Sequence, residues 1–362
     1  VSCFELYKHC AISTLWNRIR LFIYNLPSEM FMSTAQFPQW CDRNRLACLF
    51  DRNPGGLYRN CMATGDRQNL AGIGFMALGM LGMGGVDAFG KWFVTADYSP
   101  VQVIAVRGWM ITLIMLLWAL GSGRRRELTT RRPMAHGVRI AVSICGPLFM
   151  FTALAHLPLA DVTVVIFGSP FITAALAVPL FAERVGRHRW LAIAAGFIGV
   201  TVAMRPGGEL FRPEILYAVA AGLSFAGINL TARWLRDTET TFQLVFFLMA
   251  GIALIASLAL PFVWRPMPLA DLVMFAAMAA ATLFGYIFMT RAFMVAPLGV
   301  VAPFEYTVMI WAVTWGFVIW GELPGAYVWT GAAIIVASGL YLLHREARLQ
   351  KMSADIDQAG LS

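Results

Sequence analysis

Charge is what this sequence has least of. Only 13% of its 362 residues are Asp, Glu, Lys or Arg, against roughly 25% in ordinary soluble domains. With 59% hydrophobic residues, too little polar side chain remains to coat a water-soluble body. Stretches such as Leu244 to Val263 lack even the polar stripe that a surface helix carries. Cysteine is scarce where it would matter. Cys3, Cys10, Cys41, Cys48 and Cys61 all precede residue 62, and Cys145 is the only one beyond it, so disulfides have no structural role in the body of the chain. No C-x-x-C spacing offers a zinc site, and the five histidines stand apart. H-E-x-x-H, G-x-S-x-G and the phosphate-binding loop are absent, so the sequence predicts no metal, no cofactor, no enzyme and no coupling to ATP by this chain.

What the sequence does hold is apolar runs. A bilayer core takes about 20 apolar residues per helix. Ten such runs follow residue 69, at 70–94, 100–120, 135–155, 161–181, 188–204, 214–235, 241–263, 270–293, 299–321 and 325–343. Basic residues gather after alternate runs: Arg124, Arg125, Arg126, Arg131 and Arg132 after the second, then Arg184, Arg187 and Arg189 after the fourth. Arg233 and Arg236 follow the sixth, and Arg345, Arg348 and Lys351 the tenth. The positive-inside rule then predicts a multi-pass membrane protein with both termini in the cytoplasm. Topology also accounts for the net charge of +8. The five-arginine loop lacks the interleaved aromatics of a nucleic-acid surface, so no nucleic acid is expected as partner.

The second half of the series echoes the first. Sliding the chain on itself by about 139 positions places Pro158 on Pro297, Leu159 on Leu298, Glu183 on Glu322 and Trp190 on Trp329. Phe149, Met150 and Ala153 fall on Phe288, Met289 and Ala292. That offset joins runs three to five with runs eight to ten, which makes each copy five helices long. An odd number of spans forces the two copies to enter the membrane from opposite sides. Inverted repeats of this kind enclose a midplane cavity, and exchanging their conformations exposes it to each side in turn.

Charges at mid-bilayer depth cost about 2.5–3.5 kcal/mol on insertion scales, and those that persist face a cavity or a partner. Asp87 and Lys91 lie four apart on one face of the first run, and Arg107 about seven residues into the second. At about 1.5 Å per residue, Asp87 and Arg107 both fall roughly 10 Å from the outer ends of their helices. Their matching depth predicts an ion pair. Two readings stand: a clamp between adjacent helices with Lys91 snorkelling outward, or an outer gate in which Arg107 or Lys91 binds an anionic group. Glu305 in the ninth run and Arg291 at the end of the eighth share a depth from the cytoplasmic side. They predict either an inner-gate pair or a Glu305 that exchanges a proton as the cavity switches exposure. Pro303 lacks an amide hydrogen and loosens the start of this helix. Asn229, Tyr286 and the stretch Phe167-Gly168-Ser169-Pro170 are cavity candidates whose alternative is interhelical packing. Gly79, Gly82 and Gly85 permit close helix approach. Glu183 and Glu322, at the ends of the fourth and ninth runs, are expected to sit at the positive end of the helix that follows each.

Residues 1–61 stand outside this pattern, with scattered charges and no sustained period. Their apolar run Leu21–Leu26 is too short for a span and, preceded by Arg18 and Arg20, makes no signal-peptide core. Because Met62 opens a polar leader running into the first span, the sequence predicts that translation starts there; a disordered cytoplasmic extension is the alternative.

The motifs A-E-R at 182–184, G-E-L-P at 321–324, D-A-F-G-K-W-F at 87–93 with Arg107, and A-P-F-E-Y-T at 302–307 complete the reading. Together with ten runs in two copies, they make the chain resemble the drug/metabolite transporter superfamily, in particular its EamA-domain proteins, over residues 69–345. The resemblance implies an all-α membrane protein of ten transmembrane helices in two inverted five-helix repeats, 69–204 and 214–345, followed by a cytoplasmic tail at 346–362. It implies a central cavity lined by helices 1, 3, 4, 6, 8 and 9, with Asp87, Phe167, Asn229, Tyr286, Glu305 and Tyr306 near the pathway. Expected partners are a small-molecule solute, the lipid bilayer and a proton or other coupling ion. The expected activity is secondary transport by alternating access, as export of amino acids or related amphipathic metabolites. Uptake of a vitamin or nucleoside-like metabolite and a non-transporting scaffold or sensor are the alternatives.

Overall fold

The computed structural model describes residues 54–181, 187–205, 213–235, 238–296 and 298–358. Most of the N-terminal extension, Glu183, Arg184, Arg236 and Pro297 lie outside the described residues. Among those described, regular structure is entirely helical, and nine helices are long and apolar enough to cross a membrane, with Trp190–Met204 a shorter apolar tenth.

The first two spans are unbroken: α1 (Pro54–Thr95) and α2 (Pro100–Gly121). The helix of α1 begins at Pro54, ahead of Met62, so the backbone is already helical in the last part of the segment read as an extension. A single 3-10 turn, Arg125–Leu128, leads to the third span, which is split into α3 (Pro133–Ser143) and α4 (Cys145–His156). The fourth is split into α5 (Leu159–Ile166) and α6 (Ser169–Phe181). Proline explains both breaks, since its ring collides with the carbonyl four residues back. Pro147 opposes Ser143, where α3 stops, and Pro170 opposes Ile166, where α5 stops. Then come α7 (Arg187–Met204), α8 (Ile215–Leu235), α9 (Thr241–Val263) and α10 (Leu269–Val295). The ninth span also starts irregularly, as the short α11 (Leu298–Val301), a 3-10 segment Ala302–Tyr306 containing Pro303, and α12 (Thr307–Trp320). The last helix is α13 (Ala326–Gln358).

Packing follows the inverted repeat. The first helix of repeat one, α1, lies along α10, the third span of repeat two, and the first helix of repeat two, α8, lies along α3 and α4, the third span of repeat one. The second spans α2 and α9 pair with each other, as do the fifth spans α7 and α13. Exchanging the repeats therefore maps each contact onto another. Small residues set the closest crossings. A Cβ at Gly79 would come 2.8 Å from Met289 N, and one at Gly331 would come 2.6 Å from Gly199 O. Gly82 meets Gly285 in the same way, whereas Gly85 has nothing within 4 Å, so only two of the three first-span glycines make the expected approach.

The interior is filled by Phe93, Phe151, Phe171, Phe275, Met76 and Met278, with Phe93 stacked on Phe275 at 3.7 Å between ring centres. Outward faces are also apolar: Leu117, Leu180, Leu191, Leu254, Leu258 and Phe262 are all exposed. In water such a surface aggregates. In lipid it is the correct solvent-facing side.

Candidate functional site

A cavity of about 380 Å³ lies between the repeats. Its wall takes Met83, Val86 and Asp87 from α1, Ile104, Arg107 and Gly108 from α2, Pro147, Met150 and Phe151 from α4 and Ser169 from α6. From the second repeat come Phe225, Ile228 and Asn229 of α8, Leu248, Met249 and Ile252 of α9, and Thr282, Tyr286 and Met289 of α10. Five of the residues singled out from sequence, Asp87, Arg107, Ser169, Asn229 and Tyr286, are thus brought onto the cavity wall. The helices that line it differ from the expectation: the second and seventh spans take part, and the ninth does not. The irregular start of the ninth span packs instead against α1 and α13.

Asp87 and Arg107 do not form the expected direct ion pair. Each helix makes its longest contacts elsewhere, α1 along α10 and α2 along α9. Both side chains line the cavity; the Arg107 guanidinium lies 5.5 Å from the Phe151 ring centre, and its Nε is buried without a hydrogen-bond partner.

Lys91 does not snorkel. It is 3% exposed; its ammonium donates to Glu322 Oε2 of the second repeat at 2.6 Å and to the Leu157 carbonyl of its own repeat at 3.0 Å, 5.0 Å from the Trp320 ring centre. Glu322 Oε2 also accepts from Leu159 N at 3.1 Å. The carboxylate therefore sits at the positive end of a helix, as expected, but the helix is α5 of the other repeat and not the one that follows in sequence. Gly321 makes this possible: its φ of 68° ends α12 in a left-handed turn, with Gly321 N donating to Phe317 O at 2.9 Å and Glu322 N to Gly316 O at 3.0 Å.

Two further ties close this end of the bundle, where α1 passes into α2. Gln102 Nε2 donates to Arg265 O at 2.7 Å while Gln102 Oε1 accepts from Arg265 N at 2.9 Å. The Tyr98 hydroxyl donates to Asp271. Burial and that bond together push the Tyr98 phenol above its ordinary value of 10.

The opposite end has its own set. Gln243 Nε2 donates to Thr129 O at 2.7 Å, and the buried Glu239 accepts from Thr130 Oγ1 at 2.6 Å and Arg131 N at 3.3 Å. Arg139 Nη1 donates to Ile228 O at 2.6 Å and Thr231 Oγ1 at 3.0 Å. Sequence reasoning passed over Gln102 and Gln243. The signal was present: Ser99-Pro100-Val101-Gln102 and Thr240-Thr241-Phe242-Gln243 carry the same helix-start pattern, a hydroxyl followed three residues later by Gln.

The remaining candidates lie off the cavity wall. Phe167 packs on Tyr306 with 5.3 Å between ring centres. Glu305 is partly buried on the 3-10 segment, and its side chain has no hydrogen-bond or ion-pair partner among the described residues. Arg291 is partly exposed on α10, within two turns of its end. Among the described residues no cluster of His, Cys, Asp and Glu could hold a metal.

Comparison with known proteins agrees with this architecture. The model of the EamA-like transporter family matches residues 70–205 and again residues 212–343. The S-adenosylmethionine uptake transporter of Rickettsia conorii is 26% identical over 279 residues, covering 77% of this chain and 94% of that protein. A riboflavin transporter of Rhizobium johnstonii is 27% identical over 234 residues, 63% of this chain and 76% of that protein. The pseudopaline exporter CntI of Pseudomonas aeruginosa is 28% identical over 209 residues, 55% of this chain and 72% of that protein.

Proposed function

Because the chain belongs to the EamA-like transporter family, a family of membrane transporters and not of enzymes, we propose that it is a secondary carrier of small amphipathic organic metabolites in the bacterial inner membrane. The observation that carries this reading is the cavity of about 380 Å³ between the two repeats, with ties between the repeats at both ends. A carrier needs such an arrangement, in which breaking one set of ties while keeping the other opens the cavity to one side only. The volume lies in the range of small-molecule sites, and the wall is mainly apolar. With both termini in the cytoplasm, the Gln102 end faces outward and the Gln243 end inward.

Direction follows the solute gradient unless an ion is coupled to it. The relatives include transporters named for uptake and one named for export. Export, the expectation from sequence, is one direction of a reversible cycle. Glu305 is the residue we assign to proton coupling or gating, as a partly buried carboxylate without a hydrogen-bond partner among the described residues. Flux measured in reconstituted vesicles across a panel of amino acids, vitamins and nucleosides tests the reading. Saturable, counterflow-capable flux of at least one solute is expected, and no flux for any of them favours a scaffold or sensor. Glu305→Gln is expected to abolish the pH dependence of that flux; a retained pH profile removes Glu305 from the coupling role.

A further inference from the structure

The two repeats contribute to the cavity unequally. Setting α2 against α9 by the residues before their first turns, Ser99 and Thr240, places Gln102 on Gln243, Arg107 on Leu248 and Gly108 on Met249. The matching contacts of α1 on α10 and of α8 on α4, Gly82 against Gly285 and Ser224 against Gly146, place Asp87 on Asn229. Asp87, Arg107, Asn229 and Leu248 all line the cavity, so equivalent points on its wall are charged in the first repeat and uncharged in the second.

The charged half is also incomplete. Asp87 and Arg107 carry opposite charges without pairing directly, and Arg107 Nε is buried without a partner. Ionised groups taken out of water need a counter-charge with hydrogen bonds. A ligand that bears a cation and an anion a few bonds apart supplies both at once. A ligand of one sign satisfies one wall charge and leaves the other stranded.

The rest of the wall describes what the ligand's other end must be. Met83, Met150, Met249 and Met289 surround the cavity together with Phe151 and Phe225. Thioether and aromatic groups are polarizable surfaces that favour an aromatic, thioether or sulfonium body over a compact alkyl one. Asn229, Thr282 and Tyr286 add a few polar groups on the same side.

We propose that Asp87 and Arg107 are the specificity-determining pair of the carrier: they hold the head of a zwitterionic metabolite, Asp87 its cationic and Arg107 its anionic group, while a polarizable body lies against α8, α9 and α10. The proposal rests on the carrier reading of the same cavity. It deepens that reading by fixing the charge form of the solute and its orientation.

The test measures binding to the purified full-length protein in lipid nanodiscs, by ligand-induced thermal stabilisation and calorimetry. The probes are methionine, phenylalanine, tryptophan and S-adenosylmethionine, with the carboxamide and the N-acetyl derivative of each of the three amino acids, and decarboxylated S-adenosylmethionine. At least one zwitterion is expected to bind about tenfold or more tightly than its derivatives carrying a single sign of charge. Arg107→Gln is expected to remove discrimination against the carboxamide or decarboxylated form and keep discrimination against the N-acetyl form; Asp87→Asn is expected to do the reverse. The wild-type comparison stands even if a variant fails to fold. A panel in which no zwitterion outbinds its derivatives overturns the proposal, as does discrimination that survives both substitutions. Vesicle flux of single-charge or neutral solutes without zwitterion preference would leave the carrier standing and sink this inference. Zwitterion-selective binding with no flux would do the opposite.

Discussion

The two ends of the bundle use the same residue in the same place for different geometry. Gln102 and Gln243 each stand three residues after the hydroxyl residue that precedes their helix, and each bonds a loop backbone carbonyl of the other repeat. At the α2 end both atoms of the Gln102 amide go to Arg265, and Ser99 makes no side-chain cap. At the α9 end the Gln243 amide is divided: its oxygen accepts from Thr240 N at 2.7 Å within a full capping box, and only its nitrogen reaches Thr129. The α2 end adds a partly buried ion pair, Lys91 with Glu322, while at the other end Glu239 bonds Thr130 and Arg131 N with the His136 ring 3.8 Å away, and Arg139 bonds Ile228 O and Thr231. An inverted repeat thus supplies equivalent ties at its two ends, and sequence divergence gives them different partners. In the carrier proposed above, a difference between the two sets of ties sets which resting state is preferred.

The largest effect expected from breaking the comparison is at the ion pair. Glu322→Ala leaves the Lys91 ammonium buried with one carbonyl and removes the cap on Leu159, a loss of about 3 kcal/mol of stability. Thermal denaturation in detergent measures it. The double variant Lys91→Met with Glu322→Gln should melt closer to the native protein than Glu322→Ala does, because no unpaired charge remains. Unchanged melting of Glu322→Ala would mean that this end is not held by charge.

Next in size are the two amides. Gln102→Ala removes two bonds between the repeats, whereas Gln243→Ala removes one between the repeats and one within its own capping box, each bond worth about 1 kcal/mol. The bias between the ends should move by about fivefold or more. A cysteine at Asn229 read by an impermeant maleimide added to either side of oriented vesicles, against the labelling of the parent chain's own cysteines, should shift in opposite directions in the two variants. The larger shift should come from Gln102→Ala. Shifts of the same sign would break the idea of paired latches.

The smallest effect is at Tyr98. Tyr98→Phe should cost about 1 kcal/mol. The tie it removes is present while the phenol is protonated, and since burial raises its pKa, stability from this group is complete below 10 and lost only as the pH climbs past the raised folded value. A stability difference between the native protein and Tyr98→Phe that disappears at neutral pH would contradict this.

Much of the fold was legible because a bilayer imposes simple demands on a chain. Ten apolar runs and an offset near 139 positions specify helices and their duplication, and Pro147 and Pro170 carry their consequence locally, one turn upstream. The candidate site was legible residue by residue but not pair by pair. Asp87 and Arg107 share a depth, so depth alone predicted an ion pair; Lys91 and Glu322 are 231 positions apart and nothing in either run points to the other.

The sequence by itself determined where the apolar runs lie and which residues are too polar to face lipid, because each follows from side-chain solvation within a turn or two. Only the tertiary structure decided which polar residues meet and which stay apart. Partner choice depends on how α1, α2, α9 and α10 pair across the two repeats, and that packing moved Lys91 into an ion pair, left Asp87 and Arg107 facing a cavity and set Glu322 on the end of a helix in the opposite repeat.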